Sequence, residues 1–261
     1  MNTIIKLGGS LITNKNVERS YQAPIVERLA DEIYRAYHQL PNLRLIMGHG
    51  SGSFGHFSAK RHNTINGVTT PEGWIGFAEV AHVASELNRL VTNTLRQADL
   101  PVLSLQPSAS AIATDGVIAQ MSLNQVHNAL DHRLIPLLYG DVALDTVRGG
   151  TIVSTETILA YLCQNMPVKQ VFLLGEVAGV LDHQGEVIPH ITADNIQHYQ
   201  SALQGSSGVD VTGGMLSKVH DMLAIAQSQP DLAIHIIDGR QSELLFEALT
   251  GNLNTGTRIT A

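Results

Sequence analysis

The sequence predicts an α/β fold: an open three-layer αβα sandwich built on a mostly parallel sheet. Short apolar strands alternate with amphipathic helices along the chain, which is the order of a doubly wound parallel sheet. The run at 170–182 is apolar nearly throughout, as expected where helices cover both faces of a strand. Glycine pairs also recur where apolar runs end.

The elements follow in order. "TIIKLGG" (3–9) is a short strand that enters a double glycine. In 24–40, Ile25, Leu29, Ile33, Ala36 and Tyr37 fall on one stripe, the spacing of an amphipathic helix. "LRLIMGHG" (43–50) is a second strand, and it runs into the glycine-rich loop "GSGSFGH" (50–56). Residues 74–100 read as a long helix, and 101–107, 116–121 and 133–145 as strands. A helix spans 155–165 with Thr155 as its N-cap, and the strand 170–182 follows. A helix at 213–228, a strand at 232–239 and a helix at 242–251 complete the pattern. In such sheets ligands bind beyond the carboxyl ends of the strands, where the glycines at 8–9, after 47 and at 213–214 gather.

Bulk properties narrow the function. The 261 residues are enough for a full core, with no repeat, low-complexity tract or flexible linker. A net charge of -7 argues against a nucleic-acid partner, because phosphate-backbone affinity comes from clustered Lys and Arg. It leaves a small anionic substrate open, since a few converging cations set the local field. No apolar stretch is long enough to span a membrane, and no signal peptide precedes the first strand. Cys163 stands alone, so no disulfide framework is expected and a cytoplasmic location fits.

Three segments carry candidate chemistry. In "KLGGS", Lys6 lies inside the strand, and Gly8, Gly9 and Ser10 allow a phosphate to approach the backbone. Lys15 follows in "LITNK". In "TGGMLSK" (212–218) two glycines open a helix whose free N–H groups suit an oxyanion, and Lys218 falls one turn further on. Each pattern alone also fits a tight turn beside a solvated lysine. The third segment, 48–56, exposes backbone N–H groups and closes on His56, where phosphate cradles more often close on lysine. His49, His56 and His62 could suggest a metal, but no acidic ligand lies nearby in sequence, so no resident metal is expected.

In this combination and order, the segments resemble the amino-acid kinase superfamily from Lys6 to the last helix. "GSGSFGH" is similar to the substrate loop of isopentenyl phosphate kinases, which fosfomycin kinase resembles closely. "YGDVALD" (139–145) and "ITNK" are similar to further segments of that family. Two segments depart from it. "VSTE" places Thr155 and Glu156 where the family has Gly-Asp, and "GEVAGVLD" places Glu176 and Ala178 where it has aspartates.

The resemblance implies the amino-acid kinase fold, with an acceptor-binding, dimerising lobe at 1–165 and an ATP-binding lobe at 166–261. It implies transfer from ATP, accompanied by Mg²⁺, to isopentenyl phosphate, within a homodimer. A kinase for another small phosphate or phosphonate such as fosfomycin, or a non-catalytic nucleotide-binding relative, is the alternative. Lys6, Lys15, His56 and Lys218 would be catalytic. Gly8, Gly9, Ser10, Gly52, Glu176, Gly179 and Gly214, with Lys6 and Lys218, would contact ATP. Ser51, His56 and Thr155 would hold the acceptor, while Glu156 and Asp145 orient the lysines. Phe77, Val80, Val83 and Leu87 are candidates for lining an apolar tail site, and core packing explains them equally well.

Overall fold

The first apolar run forms the centre of the main sheet. The computed structural model describes residues 2–204, 214–229 and 231–261. The chain begins with β1 (Asn2–Leu7), a single helical turn α1 (Gly9–Ile12), α2 (Ala23–Gln39) and β2 (Arg44–His49). It continues through α3 (Gly52–His62), α4 (Pro71–Gln97), β3 (Val102–Ser104), β4 (Ile112–Thr114), β5 (Val117–Gln120) and α5 (Asn124–Asp131). Next come β6 (Ile135–Tyr139), β7 (Asp141–Asp145), β8 (Gly149–Val153), α6 (Thr155–Asn165) and β9 (Val168–Gly175). The last elements are β10 (His190–Ile191), α7 (Ile196–Gln204), α8 (Gly214–Gln227), β11 (Ala233–Asp238), α9 (Leu244–Thr250) and β12 (Thr257–Ile259).

Eight strands form one sheet in the order β10-β12-β11-β9-β1-β2-β6-β3. All neighbours pair in parallel except β11 and β12. Alternation along β1 assigns its side chains to two cores. Ile4 joins Ile46, Val171 and Ile234 under α6 and α8, which contribute Ile158, Leu162, Val219 and Leu223. Ile5 and Leu7 join Met47 and Phe172 under α2, α4 and α9, which contribute Leu29, Ile33, Leu87, Val91 and Leu245. This is the expected three-layer sandwich. Lys6 shares the face of Ile4, so it projects toward α6 and α8.

Several elements differ from the sequence reading. The run 133–145 is two strands, not one. Gly140 separates β6, in the main sheet, from β7, which belongs to a second sheet of order β5-β4-β7-β8. The strand starting near 170 stops at Gly175 instead of reaching 182. Helix α4 starts at Pro71, because Thr70 caps it by accepting the Gly73 N–H at 3.1 Å and proline is tolerated in the first turn. Helix α6 is capped by Ser154, not Thr155: the Ser154 side chain accepts the Thr157 N–H at 3.0 Å.

Five neighbouring strands of the main sheet end on glycine. Gly8 follows β1, Gly50 follows β2, Gly140 follows β6, Gly175 closes β9 and Gly239 follows β11. All five lie along the carboxyl edge. Among the described residues no helix is long and apolar enough to cross a membrane.

Candidate active site

At the carboxyl edge two glycine turns meet backbone to backbone. Strands β1 and β2 end in register, Leu7 opposite His49. The Gly8 N–H donates to the Leu174 carbonyl at 2.8 Å and the Gly50 N–H to the Leu7 carbonyl at 3.0 Å. A Cβ on Gly9 would stand 2.6 Å from the Gly52 nitrogen, and one on Gly50 would stand 2.8 Å from the Gly9 nitrogen. Only glycine permits that approach. Thr13 fastens the turns: its hydroxyl donates to the Gly9 carbonyl at 2.7 Å and accepts the Ser53 N–H at 2.9 Å. The Ser20 N–H reaches Ser53 Oγ at 3.2 Å, which moors the exposed loop carrying Lys15 against α3. Ser10 is exposed in the turn after Gly9.

Beneath these turns lies the charged centre. The Lys6 ammonium pairs with Glu156 at the start of α6, with Lys6 only 14% exposed and Glu156 39% exposed. Burial pushes the Glu156 carboxyl up. The charge and hydrogen bond of Lys6, a backbone N–H at the helix start and the Lys218 charge outweigh it and hold the group below its ordinary value. Lys218 itself is exposed on the first turns of α8. Glu156 therefore feels two cations, Lys6 of β1 by direct pairing and Lys218 of α8 through its charge. Gly214 opens α8, whereas Gly213 lies outside the described residues.

The segment read as a glycine-rich loop is a correction. Only Gly50 and Ser51 are loop; α3 begins at Gly52, which adopts φ +48°, and His56 stands one turn inside that helix. Glycine and serine are weak helix formers, so sequence propensity hides this start. The exposed His56 ring donates from Nδ1 to the Gly52 carbonyl at 2.9 Å, since a carbonyl can only accept. Nε2 is left as the nitrogen available to a ligand, and it donates only when the ring is protonated. Ser51, half-buried, precedes the helix and lies against Gly55.

Two expected roles change. Thr155 commits its hydroxyl within the chain. It is 1% exposed, and its hydroxyl donates to the His49 carbonyl at 2.6 Å, bracing the end of β2. Asp145 does not orient the lysines, because it ends β7 at the far side from Gly140 and its carboxylate is already committed. It accepts the N–H groups of Asp115, Gly116, Val147 and Arg148 at 2.7–3.1 Å. Burial raises its pKa, but these four donors bring it down to about 2.

Glu176 is exposed just past β9, close enough for its charge to act on Arg240. Arg240 in turn is paired with Asp238 at 2.7 Å at the end of β11. Gly179 is buried against Thr257, where a Cβ would stand 2.7 Å from the Thr257 hydroxyl oxygen.

The three histidines do not converge. His62 Nε2 lies 2.9 Å from Glu79, and both His49 ring nitrogens are engaged within the core. Burial pulls the His49 pKa down to about 4, only partly offset by its bond to the Gly50 carbonyl, so this ring is neutral. Among the described residues no group of acidic, histidine and cysteine side chains is arranged to hold a metal ion. Of the four tail candidates, Leu87 is fully buried in the core beneath the sheet. Val80 and Val83 are also buried, and Phe77 is half-buried over Gly150.

Sequence reasoning passed over Thr13 and Asn88. Thr13 could have been found from its place four residues after Gly9, the reach of a hydroxyl to the preceding turn. Asn88 gave a weaker signal, a lone amide on the apolar stripe of α4.

A sheet edge of bare glycine turns, flanked by two lysines that share one carboxylate, defines a phosphate-handling α/β protein. The chain belongs to the amino acid kinase family, whose model matches residues 1–238. It is 32% identical to isopentenyl phosphate kinase of Methanocaldococcus jannaschii, covering 99% of this chain and 98% of that one. It is 29% identical to the isopentenyl phosphate kinase of Methanothermobacter thermautotrophicus, covering 98% of each. A solved structure of isopentenyl phosphate kinase superposes over 100% of both chains with a TM-score of 0.78 and 27% identity.

Proposed function

We propose that the protein transfers the γ-phosphoryl group of ATP to isopentenyl phosphate, giving isopentenyl diphosphate and ADP. The observation that carries this reading is the Lys6–Glu156–Lys218 array beneath paired glycine turns, with His56 one turn into the adjoining helix. An oxygen of the acceptor phosphate attacks the γ-phosphorus while the bond to the ADP oxygen breaks. That oxygen is already ionised near neutrality, the second phosphate pKa being about 6, so no general base is needed. Phosphoryl transfer passes through a loose transition state and depends on positioning and charge neutralisation. Lys6 and Lys15 face the transferring group, and Lys218 neutralises the ATP phosphates. Glu156 keeps Lys6 and Lys218 apart and aimed, while Ser51 and His56 hold the acceptor. Gly8, Gly9, Ser10, Gly52 and Gly214 form the backbone rim for ATP, with Glu176 and Gly179 beside it. Mg²⁺, held by the ATP phosphates, would supply further charge neutralisation there.

In this reading residues 1–165 bind the acceptor and residues 166–261 bind ATP. Ile65, Ile75 and Val147, exposed apolar side chains in the first segment, support a homodimer formed through it. A buried, unpaired Cys163 and a charged small-molecule substrate fit a cytoplasmic enzyme. The test is phosphorus NMR of protein, Mg-ATP and isopentenyl phosphate, which should show ADP and a diphosphate. Isopentenol, lacking the phosphate, should be a poor acceptor. Turnover of fosfomycin with none of isopentenyl phosphate would move the substrate assignment to phosphonates.

A further inference from the structure

His49, the first histidine of "GHGSGSFGH", takes no part in the chemistry above, yet it is fully buried at the end of β2. Its ring stacks on Tyr139, with centroids 5.5 Å apart and planes 5° from parallel. Nδ1 lies 3.0 Å from the Gly50 carbonyl oxygen and Nε2 lies 3.1 Å from Asn88 Nδ2. Asn88 Oδ1 in turn lies 2.5 Å from Ser104 Oγ. The Gly50 carbonyl sets the direction of the whole chain of bonds. A carbonyl only accepts, so Nδ1 carries the proton and Nε2 presents its lone pair. Asn88 must then turn its NH₂ toward the ring and its oxygen toward Ser104, whose hydroxyl donates.

The consequence falls on the next peptide. A trans peptide is planar, and its N–H points opposite to its C=O. No cis bond occurs among the described residues, so fixing the Gly50 carbonyl toward the buried ring aims the Ser51 N–H away from it. Ser51 is half-buried and immediately precedes α3, the helix that carries His56, so a donor turned away from the buried ring stands beside the acceptor segment. Gly50 has no side chain to limit its rotation, so without this bond the peptide plane is held only by its neighbours. We infer that His49, locked by Asn88 and Ser104, is a positioning residue that aims the Ser51 N–H at the acceptor phosphate. The inference rests on the acceptor reading of the 50–56 segment given above.

The test separates acceptor binding from everything else. Asn88→Leu removes the donor to Nε2 at similar volume, and His49→Phe keeps the stacked ring but loses the donor to Gly50. Both should raise KM for isopentenyl phosphate by ~10-fold, the scale of one lost hydrogen bond, with KM for Mg-ATP within about twofold of wild type. Asn88→Asp obliges Nε2 to carry a proton while Nδ1 keeps its own, so this variant should recover acceptor KM. Nitrogen-15 NMR of the wild-type imidazole should show His49 protonated at Nδ1 alone. Inorganic phosphate should shift the Ser51 amide resonance in wild type and leave it unmoved in Asn88→Leu. If Asn88→Leu fails to fold, Ser104→Ala and the wild-type tautomer decide in its place. A wild-type Nε2–H tautomer would overturn the inference. So would a Ser51 response that survives Asn88→Leu, or KM values for both substrates that rise together. If wild type ignores isopentenyl phosphate while the Ser51 response to inorganic phosphate depends on Asn88, the substrate reading falls and the role of His49 stands.

Discussion

Lys6 on β1 and Glu156 on α6 are joined as an ion pair although 150 positions separate them in sequence. One carboxylate thus feels the charge of both Lys6 and Lys218, so removing either lysine unbalances the other. Lys6→Ala and Lys218→Ala should each lower kcat by ~10²–10³-fold, the scale of losing one electrostatic stabiliser of the transition state. Steady-state rates at saturating Mg-ATP check this; a variant with wild-type kcat removes that lysine from the centre.

The same pair predicts a pH dependence of stability. The folded-state pKa of Glu156 is depressed, so its contribution is fully present above the unfolded value and is lost as pH falls through the lower folded one. The difference in Tm between wild type and Glu156→Gln should be constant near neutrality and shrink once pH drops below the ordinary glutamate range. A difference that grows toward acid would mean the opposite sign of shift.

His56 should govern the acceptor alone. His56→Ala should nearly abolish transfer to isopentenyl phosphate while ATP affinity and Tm stay close to wild type. His56→Gln, a neutral donor of similar reach, should restore part of the activity. An unfolded His56→Ala protein would make the residue structural.

Asp145→Asn should lower Tm with kcat and both KM values unchanged, since its carboxylate serves the turns at 115–116 and 147–148. With a folded pKa of about 2, its contribution is complete above the unfolded value of about 3.8 and fades as pH falls toward 2. Acid titration of Tm in both proteins measures it. A fall in kcat without a fall in Tm would return Asp145 to the lysine cluster.

Leu87→Ala should cost ~2–5 kcal/mol of stability, the range for truncating a buried leucine, and leave tail-length preference untouched. Phe77→Ala, altering a half-buried ring over Gly150, should be the change that admits longer prenyl phosphates. Denaturant unfolding and a chain-length series of acceptors separate the two outcomes.

The sandwich was legible because strand and helix periodicities were strong, and Lys6, the glycine turns and the α8 lysine were legible from their spacing. What stayed hidden was tertiary in origin. Strands β6 and β7 share one apolar run, and only Gly140 inside it marks the passage between sheets. The β4–β5 hairpin carries an Asp-Gly signal, with Asp115 at φ 51° and Gly116 at φ 84°, that a reading based on apolar runs passed over. Helix α3 begins on residues of poor propensity, and its start is fixed by Thr13 from a distant turn. The misplaced Asp145 was carried by a family pattern, while four local N–H donors decided its actual use.

The row of glycines at the ends of β1, β2, β6, β9 and β11 bears on how such an enzyme changes its substrate. What these positions contribute is a missing side chain: the N–H groups of Gly8, Gly50, Gly140 and Gly239 are already spent on neighbouring carbonyls, so the edge is kept bare by backbone alone. In the proposed reading, a change of acceptor must therefore be written in side chains that lie off this edge, such as those of α3.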